Sequence, residues 1–450
     1  MTASTKPILA LLALAACVDS ASTDPHFVTD CIASVDQDVT TRARVKWTSK
    51  LPGPSWVEFD LGQTPVMDNE ATEHEAVLLG LPQLTETTWR AVTDGEIVCE
   101  GTLTTGALPT TVPGLSVTVY NAERASPEAW LFGASLSLKG MVYILNRAGD
   151  IVWYAATDEG RSLFDVEPLP GGRVSWNVAD AQFQQDEAEI VETVLTGGTP
   201  TRWQTELGHH AFAATPTGFA YMMLDIRPWF DVEKLETYDV AGDAVVLVDR
   251  EGDHSTLWST WDAFDVEGHE GWTEGLYDGI ADWTHGNSLS WSEERGTLLY
   301  STPVLRTLVE ISSTGTIQTF GPKGTYHVAD PDDSFSNQHG STWTEAGTLL
   351  MFMTAMNGNG TGAMEYEIDE ATRSYKPIWS YGFGLGILNA SLGGAQRLQN
   401  GNTLVNFGAS GMIREVTPDG TVVWEVVSDL GIVFGEQVMI HDLYGRDVAG

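Results

Sequence analysis

Four histidines stand out by where they fall. His209 and His210 follow Gly208, His285 sits in Thr284-His285-Gly286-Asn287, and His339 sits in Gln338-His339-Gly340-Ser341. Each group precedes a turn and an apolar strand: Gly218-Phe219-Ala220-Tyr221, Gly296-Thr297-Leu298-Leu299 and Gly347-Thr348-Leu349-Leu350. In this register His210, His285 and His339 hold matching positions, 75 and 54 residues apart. One histidine that merely ends a strand with a satisfied hydrogen bond is ordinary; three in register point to convergence. Three chemistries use such a set. Histidines meeting an acid hold a transition metal, although neither HxH nor HExxH spacing occurs. Calcium needs oxygen ligands, which Asp330, Asp332 and Asp333 would supply, but such a run is equally at home as a solvated loop. The third is covalent transfer: a neutral imidazole attacks an electrophile while His⁺, Arg and Asn stabilise developing negative charge. Spacing alone leaves all three open.

The histidines belong to a repeat of about 55 residues. Its other half is a hydrophobic strand, a turn and a strand ending in an aromatic. Val142-Tyr143-Ile144-Leu145 leads to Trp153, Val245-Val246-Leu247-Val248 to Trp258, and Leu308-Val309-Glu310-Ile311 to Phe320. Glu365-Tyr366-Glu367-Ile368 leads to Trp379 and Ile413-Arg414-Glu415-Val416 to Trp424, with a weaker copy from Ile190 to Trp203. A unit of about four strands cannot bury both faces alone, so neighbours must stack. Six copies over residues 115–450 predict an all-β, six-bladed β-propeller, in which the first strand of each blade lines a central channel. Before it, period-two stretches such as Arg44-Val45-Lys46-Trp47-Thr48, Trp56-Val57-Glu58-Phe59 and Thr88-Trp89-Arg90-Ala91-Val92 predict a small fibronectin type III-like β-sandwich over 27–110.

Twenty-three basic against 62 acidic residues give a net charge of −39. That excludes a nucleic-acid binder, which needs basic patches, and docking on an anionic membrane surface. Lys6 precedes an apolar run, Ile8 to Ala16, too short to span a bilayer. Leu14-Ala15-Ala16-Cys17 resembles a bacterial lipobox. The expectation is a lipoprotein signal peptide over 1–16, a lipidated Cys17, a tether over 17–26, and an exported protein of the periplasm or cell surface. Cys31 and Cys99 then remain as an even pair in an oxidising compartment, which predicts one disulfide.

"DWTHGNSLSW" (Asp282 to Trp291) and "NQHGSTW" (Asn337 to Trp343) resemble the paired histidine motifs of the bacterial arylsulfotransferase family. "EYEID" (Glu365 to Asp369), "QRLQNGNTLVNFG" (Gln396 to Gly408) and "EVTPDGTVVWE" (Glu415 to Glu425) are similar to it as well. The resemblance implies sulfuryl transfer from an aryl sulfate to a phenol through a sulfated histidine, with no cofactor and no nucleotide sulfate donor. It implies that His285 and His339 bind and polarise the sulfuryl oxygens, helped by Asn287, with Trp283 and Trp343 near an aryl ring or in the blade cores; the repeat register adds His210 to the set. The expected partners are small phenolic compounds and, by the lipid anchor alone, a membrane; a homodimer is compatible with this and nucleic acid is not. The chain departs from the family at two places. Where the family carries its reactive histidine, after "NTLVNFG", it reads Gly408 to Ile413, with Met412. Where the family carries an arginine, it has Gly362 and Ala363, so Arg306 in "STPVLRTLVEI" is the expected cation. The nucleophile must then come from His209, His210, His441 or elsewhere, or else the scaffold is a non-catalytic propeller that binds a ligand or protein at the cell surface.

Overall fold

The computed structural model describes residues 31–67, 70–112, 114–136, 140–156, 161–180, 188–232, 234–266, 273–277, 279–354, 360–428 and 433–446. The expected signal peptide, Cys17 and the tether lie outside the described residues. The chain is all-β, and among the described residues its one α-helix is a single turn, Thr260–Ala263. Two compact units divide it: residues up to Thr110 together with Asp150–Tyr154, and Thr111–Gly149 together with Ala155 onward.

In the first unit, the expected alternation becomes two antiparallel sheets. Cys31–Val35, Ala43–Thr48 and Glu73–Leu78 form one; Gly62–Gln63, Ser55–Phe59, Glu86–Thr93 and Glu96–Thr104 form the other. Their inward residues share one core of Val45, Trp47, Val57, Leu78, Trp89 and Ala91, all almost fully buried. Cys31 and Cys99 are disulfide-bonded with Cα atoms 6.7 Å apart. The bond ties the first strand of one sheet to the last strand of the other.

In the second unit, six sheets follow one another along the chain among the described residues. Each buries both faces against its neighbours, which is why the strands read as near-continuous apolar runs rather than alternating ones. Leu169, Ile190 and Trp203 pack on Phe212, Phe219 and Val246 of the next sheet. Ala220, Met222 and Val245 pack on Leu289, Leu298 and Tyr300. Leu299, Leu308 and Phe320 pack on Met351, Tyr366 and Tyr375, and Leu350 and Phe352 on Val405, Phe407 and Val416.

The two ends of the unit exchange strands. Leu115–Tyr120 pairs with Val422–Ser428 of the last sheet, and Phe434–Ile440 pairs with Trp130–Ser135 of the first. The repeat pattern does not reveal this exchange, because each strand pairs with a sheet at the opposite end of the unit. A buried ion pair sits at the junction: Arg147 Nη1 lies 2.6 Å from Glu415 Oε2, and the guanidinium covers the Trp424 ring at 4.9 Å. The same device recurs. Glu310 pairs with Arg295, whose guanidinium covers Trp343 of the next sheet at 4.1 Å. Glu365 pairs with Arg397, which covers Trp379 at 4.9 Å. The glutamates in "LVEI", "EYEI" and "REV" are therefore structural.

The disulfide closes a span of 68 residues. In the chain-entropy account its loss costs up to roughly 4 kcal/mol. Replacing Cys31 and Cys99 together by serine is expected to lower the urea midpoint of the first unit accordingly; a midpoint equal to that of the native chain would contradict this.

Candidate active site

The histidine strands share a local irregularity. Strand Gly208–Thr215 pairs with Gly218–Asp231, but the register slips between His209 and Phe212. Strand Gln338–Trp343 pairs with Leu349–Met353, and slips between His339 and Thr342. Such bulges re-aim side chains at the ends of strands. Strand pairing thus aligns His209, not His210, with His339, and it aligns His210 with Gly340. Both aligned residues are left-handed, at φ 47° and 53°. Glycine is required at 340, because a Cβ there would stand 2.8 Å from the Gly394 Cα. His210 adopts the same conformation without that freedom, at a cost of about 1–3 kcal/mol, a strain typical of functional positions. His285 is left-handed too, at φ 48°, and lies in the loop before strand Ser288–Ser292. The shared register expected from sequence is replaced by three different backbone positions that bring the rings together. The His210 and His285 ring centroids are 5.1 Å apart, and His209 Nδ1 and His210 Nδ1 are 3.0 Å apart.

One buried carboxylate holds these loops. Asp243, in strand Glu236–Asp249, is 1% exposed. Its Oδ1 lies 2.9 Å from His209 Nε2. Its Oδ2 accepts from the Thr284 hydroxyl, the Tyr300 hydroxyl and, at 2.8 Å, the Gly286 N–H. This also explains the glycine between His285 and Asn287. A Cβ at Gly286 would stand 2.6 Å from the Tyr300 ring and 2.8 Å from Asp243 Oδ2. Burial alone would raise the Asp243 carboxyl, but His209 and the two hydroxyls outweigh it and hold the group below the usual range. Asp243 is therefore an anion at neutral pH.

The histidines are not electrically alike. Burial disfavours charge on His285, yet the Asp282 carboxylate, 2.5 Å from its Nδ1, outweighs burial and raises it. The second oxygen of Asp282 accepts the His285 backbone N–H at 2.9 Å. His339 is pushed down to about 4 by burial and by the His285 charge, against a hydrogen bond that favours its proton. In that bond Nδ1 lies 2.8 Å from the Gly393 carbonyl oxygen. A carbonyl only accepts, so the proton of the neutral ring is on Nδ1 and the lone pair on Nε2. His210 is held well below its ordinary value by burial and by the other histidines. The set thus pairs one ring whose charge is favoured with two whose charge is disfavoured.

His210, Asn287 and His339 line a cavity of about 870 Å³, together with Trp291, Trp343 and the carboxylates of Asp165, Glu167 and Glu436. Asn287 Nδ2 donates to the carbonyl of Gln338 at 2.9 Å and so fixes the residue before His339. Other expected residues fall elsewhere. Arg306 is exposed, in the turn between strands Thr297–Thr302 and Thr307–Ser312, and does not line the cavity. Trp283 is buried against Trp261, with ring centroids 5.0 Å apart. His441 lines the cavity with Glu128, its Nε2 3.4 Å from the carboxylate. Met412 packs into the core beside Phe407, while Gln396 lines the cavity and is tied to the Met439 backbone. Gly362 and Ala363 are buried at the start of strand Gly362–Asp369. Asp330 caps a short turn, Pro331–Asp333, through the Asp332 N–H. Among the described residues, no three His, Cys, Asp or Glu side chains converge at metal-ligating distance.

Asp243, Asp282 as a partner, and the cavity carboxylates Asp165, Glu167 and Glu436 were not marked by the motifs. Asp243 had a signal: a lone acid inside the apolar run Val240-Ala241-Gly242-Asp243-Ala244-Val245. Changing Asp282→Asn is expected to move the His285 titration to lower pH, read by NMR of the imidazole. A midpoint equal to the native one would contradict the assigned partner.

The structure shows weak likeness to several solved proteins. One of unknown function from Bacteroides caccae has 12% identity and TM-score 0.45, covering 70% of this chain and 100% of its own. A streptogramin B lyase has 13% identity and TM-score 0.40, covering 72% and 98%. The periplasmic gluconolactonase of Pseudomonas aeruginosa has 9% identity and TM-score 0.38, covering 68% and 99%. No curated protein matches the sequence. The family model described as Arylsulfotransferase (ASST) matches residues 117–429, well over half of the chain and the whole histidine constellation, so the chain belongs to that family.

Proposed function

We propose that this chain moves a sulfuryl group from an aryl sulfate to a phenolic acceptor, with His339 as the covalent carrier. The observation that carries the reading is the hydrogen bond from His339 Nδ1 to the Gly393 carbonyl. It leaves Nε2 with a lone pair, and burial keeps the ring neutral at physiological pH. A neutral imidazole is the form that attacks. In the first step the Nε2–S bond forms as the S–O bond to the aryl group breaks. In the second, an acceptor oxygen attacks sulfur and the N–S bond breaks. His285 stands behind the cavity wall, its ring 5.1 Å from that of His210, and the positive charge that Asp282 favours on it offsets at that remove the negative charge that develops on the sulfuryl oxygens. Asn287 positions the strand of His339. This reading supplies the nucleophile that the chain lacks near Met412. It also makes the second unit a six-bladed propeller with the site on its axis, following a fibronectin type III-like sandwich in the sequence. The Cys31–Cys99 disulfide is the kind of bond that persists outside the cytoplasm. It supports export, with Cys17 as the lipid anchor and phenolic compounds as the partners met there.

His339→Ala is expected to bring aryl sulfate turnover to background. His285→Ala is expected to lower kcat about 10²–10³-fold, as the loss of one stabiliser of transition-state charge does. Turnover by His339→Ala at the native rate would sink the reading.

A further inference from the structure

Sulfuryl transfer between phenols has a proton to manage. The donor leaves as a phenolate and the acceptor arrives as a phenol. His339 cannot handle that proton, since its Nδ1–H stays with Gly393 and its Nε2 holds sulfur. Resting on the transfer reading above, we propose that Glu436 is the proton carrier of the reaction, giving its carboxyl proton to the leaving phenolate and taking one back from the incoming phenol.

The placement argues for it. Glu436 lines the same cavity as His210 and His339. Its two carboxylate oxygens lie 2.9 Å from where a Cβ on Gly394 would stand. The preceding residue, Gly393, is the one whose carbonyl holds His339. The Glu436 N–H donates to the Phe164 carbonyl at 2.7 Å, and the Phe164 ring lies 5.5 Å from that of His210. The carboxyl thus lies against the segment that holds the nucleophile, and the Glu436 backbone is tied to the residue whose ring meets a second histidine. The cavity also holds an acceptor without a donor. Asn287 is 7% exposed, and its Oδ1 has no hydrogen-bond partner. A sulfate ester carries no donor to satisfy it, whereas a phenolic O–H does. That oxygen, in the loop before strand Ser288–Ser292, points independently to a hydroxyl-bearing ligand in the cavity.

The surroundings suit a group that shuttles a proton. Asp165 and Glu167 from the neighbouring sheet act electrostatically on Glu436, and His210, His339, Glu128, Glu365, Arg397 and His441 line the same cavity. From the last sheet it meets Gly394, and Asn406 holds the carbonyl of Gly435; neither titrates. Burial raises Glu436 to about 7. Burial and the Glu436 charge raise Glu167 to about 8, and Asp165 is raised by burial and by both. A proton carrier works best with an affinity near the operating pH. In the first step the Glu436 carboxyl protonates the phenolate oxygen as the S–O bond breaks, and the carboxylate is left. In the second the carboxylate takes the proton of the acceptor O–H as that oxygen bonds to sulfur, and His339 returns neutral.

The two half-reactions should then respond to pH in opposite senses. Donor cleavage needs the acid form, so its rate falls as pH rises through about 7. Acceptor transfer needs the carboxylate, so its rate rises over the same range. The test is single-turnover kinetics of each half-reaction, with a series of aryl sulfates of increasing leaving-group pKa, in the native chain and in Glu436→Gln. The amide keeps the shape and removes the titration. The expected result is a loss that grows with leaving-group pKa, reaching about 10²–10⁴-fold for the poorest leaving groups, and disappearance of the limb near pH 7. A native chain with both opposed limbs supports the proposal even if the variant folds poorly. A native chain that transfers sulfuryl groups without those limbs, or a Glu436→Gln enzyme with the native leaving-group dependence, overturns it and leaves the transfer reading standing. A native chain that transfers nothing overturns both.

Discussion

The Asp243 carboxylate is the interaction on which the site depends. It is an anion with almost no exposure, and it is stable there because four partners surround it: His209, Thr284, Gly286 and Tyr300. Those partners come from different strands and loops. His209 fixes the strand that carries His210. Thr284 and Gly286 flank His285. Removing one member of such a buried set leaves an uncompensated charge, which costs about 3–5 kcal/mol. The geometry of two histidine-bearing segments is therefore set by one acid on a strand that bears no histidine.

Placing that acid requires the stacked sheets. Each sheet of the second unit buries both faces, so no sheet is stable alone and the order of sheets fixes which loops meet. The strand exchange between Leu115–Tyr120 and Phe434–Ile440 ties the ends of the series, with Arg147 and Glu415 at the junction. The same exchange delivers Glu436 to the cavity, because it rides on the strand Phe434–Ile440. A residue near the end of the sequence thus meets Phe164 and Gly394, both far from it in the chain.

Much of the fold was legible because its physics is local and repeated. The strand–turn–strand units ending at Trp203, Trp258, Phe320, Trp379 and Trp424 announced sheets that must stack. The pair Cys31 and Cys99, even once Cys17 is set aside, announced the disulfide. The histidine cluster was legible too, but for a partly different reason than the register suggested. Bulges after His209 and His339 shift the alignment by one residue, and a bulge leaves no clear mark in composition. The acids were illegible because their meaning is non-local. Asp165, Glu167 and Glu436 are unremarkable in sequence, and only the closing of the unit brings them to one cavity. Arg306 shows the converse: a cation in a promising motif, held at the surface by the turn it occupies.

Two glycines tie motif to mechanism. Gly286 lets Asp243 and Tyr300 approach the chain between His285 and Asn287, and Gly340 lets the Gly393–Gly394 backbone approach His339. The second approach creates the hydrogen bond that fixes the His339 tautomer, and the assignment of His339 as carrier stands on that bond. The most direct measurement is to incubate the native chain with an aryl sulfate and no acceptor, then map the sulfated residue by mass spectrometry of its peptides. The account expects the sulfuryl group on His339, lost on adding a phenol. A sulfated His209, His210 or His441, or turnover with no sulfated histidine, would contradict it.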